Sequence, residues 1–103
     1  MISIVESAKF RLKPYKFSSN LLALTIEEDK QTHSLTLRSY ILPSMHEDER
    51  DDISCYITEV ISDYPVLPYS LFEPVIEVPS LSNFSENELE GNIVYISPQL
   101  IKK

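Results

Sequence analysis

Carboxylates are the residues of this chain whose number and grouping could do chemistry. Sixteen Asp and Glu stand against nine Lys and Arg, a formal net charge of −7. Glu47, Asp48, Glu49, Asp51 and Asp52 form one dense group, and Glu86, Glu88 and Glu90 form a second. Paired carboxylates can serve glycoside hydrolysis. So small a chain, without Trp, offers little room for the aromatic-walled cleft that sugars favour. The stretch 47–52 lacks the alternating ligands and turn glycine of a calcium loop. His33, His46 and Cys55 match no zinc spacing. The single glycine, Gly91, excludes both common phosphate loops and the Gly-x-Ser-x-Gly nucleophile elbow. No catalytic, metal or cofactor residue is expected, and the protein reads as a binder without enzymatic activity.

The other reactive types have ordinary readings. Cys55, next to an apolar helical stripe, is expected to be a small, partly buried core residue. His46 falls among acids in a helix start and reads as solvated, and His33 as a surface residue. Six tyrosines are present. Tyr56 and Tyr64 fall on the stripe and suit core packing. Tyr15 and Tyr69 lie near prolines, where tyrosine can anchor an interface.

Charge is unevenly placed. Residues 1–45 carry six basic and four acidic residues, a net of +2, whereas residues 46–103 carry three basic and twelve acidic ones, a net of −9. A long-range attraction to nucleic acid is therefore unfavourable, and the asymmetry suits either a negative surface aimed at a basic protein partner or acids that simply keep a small domain soluble. Lys9, Arg11, Lys13 and Lys16 are too few to reverse that balance. No apolar run approaches the roughly 20 residues of a membrane span, and the N-terminus lacks the pattern of a signal peptide. With one cysteine no intrachain disulfide can form. The expectation is a cytoplasmic protein with no membrane partner.

The elements that would position these groups follow from periodicity. The 103 residues, 43% hydrophobic, allow one domain, residues 1–103. Residues 2–13 alternate and read as a strand or a bent pair of strands, with Phe10 and Leu12 on one face and Lys9, Arg11 and Lys13 on the other. Leu21–Glu28 is a second strand, with Leu22, Leu24 and Ile26 on one face and Leu21, Ala23 and Thr25 on the other. His33–Leu42 is a third, with Leu35, Leu37 and Ile41 opposed to Thr36, Arg38 and Tyr40. The short connection joins these two as an antiparallel hairpin. A helix over about 45–64 is signalled by Ile53, Tyr56, Ile57, Val60, Ile61 and Tyr64 at spacings of three and four. Ser44 and Glu47 fit a capping box, and the acids at its start suit the helix dipole. Pro65 ends the run.

Residues 73–78 read as a fourth strand, Ser85 and Glu88 as a second cap, Gly91-Asn92 as a turn and residues 93–97 as a fifth strand. The fold class is α+β: a mostly antiparallel sheet of about five strands with one long amphipathic helix packed on a face.

The helix Asp51-Asp52-Ile53-Ser54-Cys55-Tyr56-Ile57-Thr58-Glu59-Val60-Ile61-Ser62-Asp63-Tyr64-Pro65 and the strand Glu73-Pro74-Val75-Ile76-Glu77-Val78-Pro79 resemble, in style, immunity proteins of bacterial toxin systems. These include the contact-dependent growth inhibition and colicin types. The resemblance implies a tight complex with one cognate toxin domain, often a nuclease, and no catalysis. The surface assigned to that basic partner comprises Glu47, Asp48, Glu49, Asp51, Asp52, Glu86, Glu88 and Glu90. Tyr69 and Phe72 are its aromatic anchors. The alternatives are an accessory subunit or assembly factor docking through a strand edge, and a small enzyme without a sequence signature. A monomer or weak dimer is expected.

Overall fold

Where residues 2–13 were expected to form strand, the described part, from residue 4, begins with a helix, and residues 2 and 3 lie outside the described residues. The computed structural model describes residues 4–62 and 70–101, and its first element is α1 (Ile4–Phe10). Ile4, Val5, Ala8 and Leu12 recur at helical spacing and all pack against the core. The alternation of Phe10 and Leu12 with three cations misled the strand reading: Leu12 packs inward, whereas Phe10 is 61% exposed beneath the Lys13 ammonium. Seven residues cannot hold a helix alone, so tertiary contacts do. Tyr56 Oη donates to the Ala8 carbonyl at 2.6 Å within the core.

Two long strands, β1 (Leu21–Asp29) and β2 (Ser34–Ile41), form the expected antiparallel hairpin. Asp29 Oδ1 accepts from the Gln31 and Thr32 amides and shapes the turn. His33, at φ 55°, leads into β2. The helix α2 (Glu47–Ser62) follows, and two short strands, β3 (Ser70–Phe72) and β4 (Val75–Glu77), return beside β2. Both pair with β2 in parallel, as a helical crossover allows. Glu73 and Pro74 separate the two strands. After two 3-10 turns, Leu81–Asn83 and Glu86–Glu88, β5 (Asn92–Ile96) pairs antiparallel with β1 on its other side. A short α3 (Pro98–Ile101) ends the described chain. The sheet order is β3-β2-β1-β5, with β4 on the same side of β2 as β3. The long ladders are antiparallel, and α+β is the fold class.

Both faces of the sheet are covered. The first core joins Leu21, Leu24, Ile26, Leu35, Leu37 and Ile41 to Ile53, Tyr56, Ile57 and Val60 of α2 and Ala8 of α1. The second joins Leu22, Ala23 and Tyr40 to Val78, with Leu81, Phe84, Leu89 and Leu100 packed over them. The strict alternation expected for β1 is thus broken. A bulge between Leu21 and Ala23 turns Leu22 and Ala23 to the same side, and a second irregularity lies between Leu24 and Thr25. The β2 faces alternate as expected.

The helix stripe is as expected for Ile53, Tyr56, Ile57 and Val60, all buried, while Tyr64 lies outside the described residues. The Ser44 hydroxyl is not a helix cap: it donates to Asn20 Oδ1 at 2.7 Å. The His46 carbonyl instead accepts the first amide bonds, from Glu49 and Arg50. Ser85 makes no side-chain cap either, although its carbonyl accepts from the Glu88 amide at 3.0 Å. Ser80 is the hydroxyl that caps, accepting from the Ser82 amide. Gly91 takes φ 91° in the turn before β5, where its missing side chain leaves space for the Arg38 guanidinium.

Candidate interaction surface

The acids of α2 do not share one face. At about 100° per residue, Arg50, Ser54 and Ile57 fall on the flank toward β4, and Glu47 lies beside them. Asp48 and Asp51 point to solvent, and Glu49 and Asp52 fall on the opposite flank. Contacts agree with that division: Arg50, Ile53, Ser54 and Ile57 line a groove against β4. Glu49 accepts from Ser18 Oγ at 2.9 Å and Asn20 Nδ2 at 3.0 Å on the other side. These two hydrogen bonds, Asn20 first, hold its carboxyl below the ordinary glutamate value. Glu47, Asp48, Asp51 and Asp52 are exposed.

The second acidic group sits over the other sheet face. Glu86 and Glu88 are exposed on a 3-10 turn whose neighbours Phe84 and Leu89 pack on the second core. Glu90 is exposed as well, its side chain 74% accessible, although it makes two contacts with β2. Its carboxylate lies 3.6 Å from Arg38, and its amide donates to Tyr40 Oη at 3.1 Å. Arg38 makes a closer pair with Glu27, at 2.7 Å. The two acidic groups therefore flank opposite faces and form no single patch.

The aromatic anchors divide as well. Phe72 is 53% exposed on β3, as an anchor requires, and Tyr69 lies outside the described residues. Tyr15 is no surface anchor. It stacks on Phe17 at 5.5 Å, meets Tyr56 edge-on and donates to Glu59 Oε2 at 2.9 Å. Burial, reinforced by that carboxylate, pushes its hydroxyl up to about 12. Cys55, expected to be partly buried, is exposed on the outward side of α2. His46 is exposed as expected. Among the described residues no group of three His, Cys, Asp or Glu is arranged to hold a metal ion, and no helix is long and apolar enough to cross a membrane.

A different surface stands out. Of the large hydrophobic side chains exposed among the described residues, Leu71, Phe72 and Val75 all belong to the β3–β4 edge. Beside this edge runs a groove of about 240 Å³, lined by Ser39, Ile41, Ile53, Ile57 and Val75, with Arg50 and Glu73 at its rim. Leu71 is in register with Leu35 and Val75 with Ser39, which places both on the helix side of the sheet. Phe72 is in register with Thr36 and points to the other side. Glu77 lies 3.6 Å from Arg50 of α2, so its side chain too is on the helix side. The sequence signal for this site was the acid–apolar–acid alternation Glu73, Val75, Glu77. Periodicity identified the strand but not which of its faces is solvated.

No protein-family model matches this chain, and no curated protein is detectably similar to it.

Proposed function

We propose that the protein is a cytoplasmic immunity-type inhibitor that binds and neutralises one basic toxin domain, with the β3–β4 edge at the centre of the contact. The observation that carries this reading is the apolar β3–β4 edge of a strongly acidic chain, which exposes Leu71 and Val75 on the helix side, where Val75 lines a groove, and Phe72 on the other face. Apolar side chains clustered on an edge strand mark interaction sites. The surrounding negative charge would speed encounter with a basic partner and discriminate against acidic ones. A nuclease domain, whose cleft must hold phosphate, has the required charge.

The test is capture of the tagged protein from its own cells, followed by activity assays on what is captured. The expected result is one stoichiometric protein whose toxic or nucleolytic activity is suppressed by the wild-type chain. Leu71→Asp and Phe72→Asp should suppress it at least tenfold less well, as loss of an interface anchor commonly does. A captured protein whose activity is indifferent to the chain would favour the accessory-subunit reading, which the same open edge supports. Recovery of no stoichiometric partner would defeat both.

A further inference from the structure

The backbone of β4 is arranged to accept another strand. The Pro74 carbonyl accepts from the Ser39 amide at 3.0 Å, and the Val78 amide donates to the Ile41 carbonyl at 2.8 Å. Residues 74, 76 and 78 thus turn their backbone groups toward β2. By the alternation of an extended chain, Glu73, Val75 and Glu77 turn theirs away from it. No described strand pairs on that outer side. Proline usually blunts an edge because it lacks an N–H. Here that missing donor falls on the β2 side, so each of the three outward residues keeps its N–H.

The same three residues share a side-chain face. Glu73 and Val75 line the groove, and Glu77 reaches Arg50 on α2, so carboxylate, apolar side chain and carboxylate alternate along the helix side. Val75 is 52% exposed. The Arg50–Glu77 pair is open to solvent, with side chains 45% and 58% exposed, and such pairs are weak and easily exchanged.

We propose that this edge takes an extended segment of the partner in which an apolar residue is flanked, two positions away on each side, by Lys or Arg. The added strand would bond to the outward backbone groups of Val75 and Glu77. Its apolar side chain would lie beside Val75 at the mouth of the groove, and its two cations would face Glu73 and Glu77. Directly opposed charges of opposite sign stabilise a strand pair, and like charges destabilise it. That rule also decides against a second copy of this chain: two β4 edges pairing antiparallel about Val75 would set Glu73 of each against Glu77 of the other. This inference deepens the binding role proposed above and rests on it. It is edge-strand recognition, in which main-chain bonds give affinity and alternate side chains give specificity.

Two capped peptides test it on the full chain: one alternating Thr with Lys, Val, Lys, the other with Glu, Val, Glu. Heteronuclear NMR titration should show amide shifts for Val75 and Glu77 with the basic peptide and not with the acidic one. The double variant Glu73→Lys/Glu77→Lys should bind the basic peptide about tenfold more weakly and prefer the acidic one. Val75→Pro deletes one outward donor, and the Ser39–Pro74 and Ile41–Val78 bonds do not involve it. It should lose the basic peptide as well. Equal binding of both peptides, or millimolar peptide without shifts at Val75 and Glu77, overturns the proposal. Undiminished affinity of Val75→Pro for the captured toxin domain overturns it too, yet leaves the inhibitory role standing. Failure to capture any partner removes that role, and the peptide titration still decides the edge.

Discussion

Glu49 and Tyr15 hold the segment 15–20 against α2 from two points, and each gives the fold a pH dependence. The Glu49 carboxyl is held low by Asn20 and Ser18. Its contribution is therefore present above the unfolded value near 4.5 and lost as pH falls through the folded one. Urea melts of wild type and Glu49→Gln should differ at neutral pH and converge in acid. Tyr15 runs the opposite way: its hydroxyl is raised, so its contribution is complete below pH 10 and fades as pH climbs toward about 12. At the same scale, Thr25 Oγ1 is buried with no hydrogen-bond partner. A buried unsatisfied hydroxyl costs roughly 1–3 kcal/mol. Thr25→Val keeps the shape and removes the polar atom, so it should raise stability by about 1 kcal/mol in urea denaturation. Tyr56→Phe is the converse, since it strips the Ala8 carbonyl of its donor, and should cost about 1–2 kcal/mol.

Elements differ in how far periodicity reveals them. The stripe of α2 and the alternation of β2 were legible because each runs long enough for one period to dominate. The first element was not, because α1 is seven residues long and a short amphipathic run fits either period. Its helix is selected by packing of Ala8 against Tyr56, which no local pattern reports. The faces of β1 were misassigned for another reason: a bulge displaces the pattern by one residue, and nothing at Leu21–Ala23 advertises it. The site was half legible. Phe72, expected as an aromatic anchor, is exposed, whereas Glu73 and Glu77, the carboxylates of the proposed edge contact, were not singled out, because their placement depends on the direction of a strand edge. At Gly91 the reading of a turn matches the structure. Gly91→Ala would force a side chain into φ 91° and should destabilise by roughly 1–3 kcal/mol, measurable in the same melts.

Charge governs the molecule as a whole. With a net of −7, copies repel at long range, and the β4 edge adds repulsion at short range. Glu73→Gln/Glu77→Gln removes the local term while leaving Leu71, Phe72 and Val75 exposed. Sedimentation velocity at low salt should then show more self-association than the wild-type chain does. A variant as monomeric as wild type would mean that these carboxylates do not guard the edge.

The position of β5 has a kinetic consequence. The hairpin of β1 and β2 closes through a short turn, whereas Ala23 meets Ile96 only after nearly the whole intervening chain has been placed. Contacts so distant along the chain form late, because closing a long loop costs entropy before any contact offsets it. The last strand to join is then the first to leave. Amides of Asn92–Ile96 should exchange with deuterium sooner than those shared by β1 and β2. Partial opening would bare the β1 side of the sheet while the β3–β4 edge stays formed.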